Sequence, residues 1–487
     1  MIAAWAKDEM ATAALGDKRL NKRLERILSD LGSKPTASIP AACGGHKETT
    51  AAYRFFDNEK STPEAILQSH VDQTKQRIAE QPIVLLVQDT SELDLTRPEQ
   101  QVVDAGPLDT DARRGGFVHP LHAVTPDSTP LGTVHCAFWT RQDDTVPKTA
   151  AEKRRERRAA PIEDKESMRW LEGLRKARDL AQEFAHVQFV CIADSEAEIY
   201  ELFSEPRGKQ RVHFLIRACQ NRALERDPDT RTKHLRQRVL ESPVLFTQEI
   251  TVRGRKAKTS CETRERRQSR QTRKAIVEVR AAAMTLRPPS RPEGKLPPVT
   301  VNIVLVREAN PPAGEPAVEW LLVTTLPIDT IDQVRQVVQY YCTLWIIEIL
   351  FRVLKSGCRV EERRFEHMKR FESCAAVYLI VAWRTLYVCR LGRSMPDIDC
   401  ETVFEPSEWK SVWRIVKGEA LPSTPPKLSV MIALVAQLGG YINRPNRKDP
   451  PGPQTIWLGM QRMYDLAQAW DAFGPGARSG HHRVELV

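Results

Sequence analysis

Two apolar runs constrain this chain most. Pro82-Ile83-Val84-Leu85-Leu86-Val87-Gln88-Asp89 and Val187-Gln188-Phe189-Val190-Cys191-Ile192-Ala193-Asp194 are continuously apolar, and each ends on an aspartate. Such runs read as strands buried on both faces, covered by helices in an α/β sheet. Their neighbours fit that reading. Strands are predicted over 117–124, 131–140 and 212–217, a patterned helix over 166–185 and a short one over 197–203. In α/β sheets ligands bind at the carboxyl ends of strands, which is where Asp89 and Asp194 fall.

A third acid, Glu348, sits in Leu344-Trp345-Ile346-Ile347-Glu348-Ile349-Leu350-Phe351, on a long helix predicted from 331 to about 355. A carboxylate among apolar residues is costly to bury unless it is paired or binds a metal. Converging carboxylates repel one another, and Mg²⁺, a hard cation that keeps room for water and phosphate oxygens, relieves that repulsion. Two such ions suit in-line phosphoryl displacement. On a continuous helix Tyr341, Leu344, Glu348, Arg352 and Lys355 would share one face, with Trp345 beside it. The flanking apolar residues predict that this stripe is buried.

The remaining chain supplies charge and helices. Lys and Arg number 73 against 63 Asp and Glu, a net charge of +10 over 487 residues. The surplus is clustered: ten Lys/Arg against two Glu over 251–274, a second group over 153–158, and Lys18-Arg19 with Lys22-Arg23 and Arg26. Phosphate backbones attract such clusters. The ten cysteines have no C-x-x-C pair, which disfavours a disulfide framework or zinc site and predicts mostly buried thiols. No G-x-x-x-x-G-K-[S/T] loop appears, so no nucleotide cofactor is expected. The N-terminus lacks an export pattern, and the apolar stretch 375–388 is short and broken by Arg384. A cytosolic protein with no membrane partner is expected. Three domains are predicted: helical 1–62, an α/β core over 63–368 with a β-rich insertion at about 218–318, and helical 369–487.

At the acidic residues the chain resembles bacterial cut-and-paste insertion-sequence transposases. These have a D-D-E triad on a ribonuclease-H-like core and a Y-x2-R-x3-E-x6-K signature. Here the signature reads Tyr341, then Leu344, Glu348 and Lys355. Further likeness lies in Ala14-Leu15-Gly16-Asp17-Lys18-Arg19, Ala52-Tyr53-Arg54-Phe55, Gln88-Asp89-Thr90, Ala193-Asp194-Ser195-Glu196-Ala197-Glu198 and Asn310-Pro311-Pro312. The resemblance implies a ribonuclease-H-like α/β core with a β-rich insertion, flanked by helical domains. It implies that Asp89, Asp194 and Glu348 bind two Mg²⁺ ions, with Mn²⁺ as a substitute.

By the same resemblance Tyr341 and Lys355 hold end phosphates, Trp320 stacks a flipped base and Arg217 supports the distorted end. Arg19, Arg23 and Arg54, with Lys18 beside them, contact the terminal inverted repeat, while Arg352 and Trp345 lie along the signature helix. The implied partners are double-stranded DNA, as transposon ends and target, and a second copy of the chain. The implied reaction is cleavage through a hairpin followed by joining.

One position departs from the pattern. Leu344 replaces the signature arginine and offers no guanidinium fork to a phosphate. That favours one alternative, a non-catalytic, end-binding derivative; a structure-selective nuclease on the same core is a separate one.

Overall fold

The structure, a computed structural model, describes residues 2–97, 99–110, 112–143, 149–206, 212–226, 232–252, 254, 271–291, 294–442 and 450–475. The chain divides into two compact units. One comprises Pro82–Asp89 and Val146–Leu344; the other comprises Met1–Gln81, Thr90–Thr145 and Trp345–Val487.

The first unit is built on a mixed sheet. Strands Ile83–Gln88, Gln188–Ala193 and Val212–Arg217 run parallel, and Glu319–Thr324, Val299–Glu308, Arg273–Leu286 and Phe246–Val252 continue the sheet antiparallel. The first two have almost entirely buried interiors, as continuous apolar sequence requires. Helix Met168–Glu183 packs closely on them: a Cβ at Gly173 would stand 2.2 Å from Oε1 of Gln88. A larger residue there would have to displace the Gln88 amide. The predicted insertion is β-rich as expected. Most of its basic run, residues 255–270 together with Arg253 and including Cys261, lies outside the described residues. The predicted 197–203 helix is instead a 3₁₀ turn, Ser195–Ala197, followed by Tyr200–Ser204. The Asp194 carboxylate causes the break by accepting the Glu196 N–H at 2.8 Å, drawing the chain into a capped turn.

The second unit is mainly helical. Strands Ser91–Asp94, Gly106–Pro107 and Pro130–Trp139 each pair antiparallel with Arg114–Val124. The N-terminal helices include Lys18–Ser33, capped by Asp17, and His46–Phe56. At the centre is Met368–Ser394, 27 residues long and buried along most of its length. Two stretches, 331–362 and 368–394, are long and apolar enough to cross a membrane, which corrects the expectation that the latter region is too short. In the latter, 89% of the most apolar window is buried, the pattern of a core helix. Arg384 is held there by donating to the carbonyl of Val403 at 2.6 Å and lying over Trp5. The nine described cysteines are free thiols; Cys219 and Cys342 are exposed and the others buried.

The predicted continuous helix over 331–355 is corrected. It ends at Cys342, and a new helix runs Trp345–Arg352. The Thr343 hydroxyl donates to the Tyr340 carbonyl at 2.6 Å, and the Leu344 N–H donates to Tyr341 at 3.1 Å. These tight bonds replace the i→i−4 ladder. A second irregularity follows: Val353–Gly357 is a π turn, closed by the Cys358 N–H on the Val353 carbonyl at 2.8 Å. Tyr341, Leu344, Glu348, Arg352 and Lys355 therefore do not form one stripe on one helix. Nor are the charged members buried, for Glu348 and Arg352 are exposed and Lys355 is partly so.

Candidate functional site

The parallel register decides where the two strand-end aspartates lie. Ile83 pairs with Gln188 and Val87 with Ile192, so each residue faces the one 105 positions later. Carried past the strand ends, that register sets Asp89 beside Asp194. The next pairing, Ala193 with Ile216, extends the row to Arg217, and Arg217 pairs in turn with Leu322. Neighbouring strands stand about 4.8 Å apart. Two half-buried carboxylates and an exposed guanidinium thus occupy one rung at the carboxyl ends of adjacent parallel strands.

Arg217 lies close enough to Tyr341 for its guanidinium to act on the phenol. Burial pushes the Tyr341 phenol up to about 12, and the guanidinium of Arg217 only partly opposes this. The phenol is therefore a neutral donor at any physiological pH. Trp320 stands edge-on to Tyr341, with ring centroids 5.5 Å apart at 62°. Beyond Arg217 the chain is anchored by Glu198, a buried acid absent from the expected site. Its carboxylate accepts the N–H groups of Cys219 and Gln220 at 2.5 and 2.7 Å and Nε of Arg222 at 2.8 Å. The clue to Glu198 was its place four residues after Asp194, just beyond the strand end.

The other signature residues belong to the mainly helical unit. Glu348 is exposed on Trp345–Arg352, and Trp345, at the start of that helix, is 59% exposed. Arg352 donates to Oε1 of Gln454 at 3.2 Å. Lys355 sits in the π turn, 3.5 Å from Oε1 of Glu361. Gly357 in that turn faces Trp457, whose ring a Cβ would meet at 3.1 Å. Among the described residues no three His, Cys, Asp or Glu side chains gather closely enough to hold a metal ion. The strands bring together two of the three proposed acids, Asp89 and Asp194. Both are hard oxygen donors, the chemistry Mg²⁺ prefers.

A second site lies among the N-terminal helices. Arg19, Arg23 and Arg54 line one cleft of about 780 Å³ together with His46, Lys47, Thr50, Asn58 and Lys60. Arg19 is paired with Asp17 at 3.0 Å, and Arg23 with Glu48. Lys18 is exposed but does not line the cleft. His46, Lys47 and Lys60 are additions to the expected set. Lys47 could have been found from the seven-residue step to Arg54, which places both on one helical face.

Three family profiles match the chain: "Transposase DNA-binding" over residues 2–61, "Transposase DDE domain" over 172–383 and "Transposase Tn5 dimerisation domain" over 380–473. They follow one another in the order of the N-terminal cleft, the sheet with its signature segment, and the C-terminal helices. The chain belongs to the insertion-sequence DDE transposases. The mixed sheet is accordingly the ribonuclease-H-like core of a DNA transposase, an enzyme that binds DNA and dimerises. DDE transposases generally use divalent metal ions. Among solved structures the transposase is similar to a piggyBac transposase synaptic complex with hairpin DNA, studied by cryo-EM. The identity is 9% and the TM-score 0.37, over 92% of this chain and 79% of that one. A score at that level says nothing about this transposase's chemistry.

Proposed function

We propose that this transposase binds the inverted-repeat ends of its element, cuts there through a hairpin and joins the freed 3′ ends to target DNA. The observation that carries this reading is the shared rung of Asp89 and Asp194, with Arg217 beside them. Asp89, Asp194 and Glu348 are the proposed holders of two Mg²⁺ ions. Bound there, such ions polarise phosphoryl oxygens and lower the pKa of an attacking water.

The protein's own groups bind and orient. Tyr341 donates its phenolic proton to an end phosphate, and Lys355 supplies charge to the same backbone. Arg217, whose charge acts on Tyr341, supports the distorted end. Trp320 offers a ring to an extruded base, offsetting the cost of unstacking. Exposed Trp345 and Arg352 flank Glu348 and add contacts to the same strand. Arg19, Arg23 and Arg54, with Lys47 and Lys60, grip the inverted repeat, and Lys18 extends that grip outside the cleft.

Each step exchanges one phosphodiester bond for another or for water. Water first attacks the end phosphorus, and the 3′ oxygen leaves as a hydroxyl. That hydroxyl attacks the opposite strand to form a hairpin, water reopens it, and the freed hydroxyl attacks target phosphorus. Only the two water steps lose a bond, so no nucleotide cofactor is required. Two copies would pair the two ends, in the cytoplasm where the DNA lies. Incubating the protein with Mg²⁺ and end-bearing DNA, then separating products on a denaturing gel, tests the path. A hairpinned end should precede the joined product; joining without any hairpin would refute the hairpin route.

A second reading is favoured by one observation, Leu344 in the turn between Tyr341 and Glu348. Without a cation there, the chain could bind ends yet cut them poorly, acting as a repressor of transposition. A Leu344→Arg comparison separates the two readings.

A further inference from the structure

We infer that Glu361 is a positioning residue for Lys355, an inference that rests on Lys355 holding an end phosphate. The two side chains lie within one unit, about equally accessible (30% and 28%), with Nζ 3.5 Å from Oε1. The same oxygen accepts the N–H of Asp94 at 2.9 Å. Asp94 ends the short strand Ser91–Asp94, which begins two residues after Asp89. One carboxylate thus links the phosphate-holding lysine to the strand that follows the first catalytic acid.

The surroundings fix Glu361 from both sides. Arg97 donates through Nη2 to the carbonyls of Glu361 and Arg363 at 2.8 and 3.2 Å, holding the backbone of the Val360–Glu362 turn. Arg359 enters that turn in the left-handed region, φ 49°, an uncommon conformation for a residue with a side chain. On the other side Nε of Arg113 bonds Oδ2 of Asp94 at 3.0 Å, while Oδ1 accepts the N–H and hydroxyl of Thr96.

The pairing is too exposed to contribute much stability. Its consequence is geometric. Lysine carries its charge on a flexible four-carbon stem, and an ammonium has three donors. One donor on Glu361 leaves two for a phosphodiester, with the stem already ordered before DNA arrives. Pre-ordering of this kind lowers the barrier to reaction more than it raises affinity.

The test is a double-mutant cycle read by single-turnover cleavage at saturating end DNA. Glu361→Gln keeps an oxygen for the Asp94 N–H but removes the charge that holds Lys355. The expected result is an approximately tenfold slower cleavage step, with end affinity unchanged or tighter, because one anion near the phosphate is gone. In a Lys355→Ala background the same substitution should have no further effect. Glu361→Asp should restore part of the rate. Equal losses in both backgrounds would overturn the inference and make Glu361 merely structural. If Lys355→Ala alone cleaves like the parent, the phosphate role of Lys355 fails, and the positioning role falls with it.

Discussion

Asp89 and Asp194 each lie just past the carboxyl end of one of two adjacent parallel strands, whose register matches residues 105 positions apart. Neither position is special within its own strand. The sheet continues one more strand, to Arg217, whose guanidinium acts on the Tyr341 phenol.

Restoring the signature cation should raise activity. Leu344→Arg places a guanidinium in the turn between Tyr341 and Glu348, and cleavage of end DNA should accelerate by about tenfold, the scale of one charge-assisted phosphate contact. End binding without cleavage in the parent, and cleavage only in the variant, would make the parent a binding protein.

The N-terminal cleft should act through phosphate charge. Arg54→Ala and Lys47→Ala should each weaken end binding and lower the slope of log affinity against log salt by about one per lost phosphate contact. An unchanged slope in both variants would remove the cleft from the DNA interface.

Trp320→Ala should separate two steps of the reaction. First-strand nicking should continue at the parental rate, while hairpin formation slows by roughly ten- to a hundredfold, matching the ~1–3 kcal/mol of one base stack. Trp320→Phe should fall between them. Equal slowing of both steps would contradict a stacking role and point to a general loss of the site.

Glu408 should make stability fall with pH. Burial pushes its carboxyl up to about 7, although it accepts the Glu405 N–H at 2.8 Å and Arg384 is nearby. In the unfolded chain it titrates near 4.5. The folded state therefore binds the extra proton, and stability is lost as pH rises from about 4.5 through 7. Glu408→Gln keeps the acceptor without the charge. It should melt higher than the parent at pH 8, by at most a few kcal/mol of stability, and the gain should vanish at pH 4.5. A gain of the same size at both pH values would contradict this.

The buried strands were legible because a continuous apolar run has few alternatives, and their terminal aspartates followed from the same runs. Register was not legible, since it depends on which strands become neighbours. The break after Cys342 was hidden for a different reason. Apolar periodicity runs through Thr343 and Leu344, and the helix ends in the tight bonds that Thr343 and Leu344 make to Tyr340 and Tyr341. The π turn at Val353–Gly357 escaped likewise, since an extra residue in one turn leaves no mark on composition. Arg19, Arg23 and Arg54 were identified by resemblance, whereas Lys60 enters their cleft from beyond the helices and could be seen only in three dimensions.

The paired aspartates are tested most directly by mixing the full chain with Mg²⁺ and DNA that carries its own ends. The unmodified chain, or Leu344→Arg if that cation is required, should cut at the ends. In that background Asp89→Asn and Asp194→Asn should each bind the ends with near-parental affinity and cut at least about a hundredfold more slowly. Cleavage by Asp89→Asn at the parental rate would contradict the assignment of this rung as the catalytic centre.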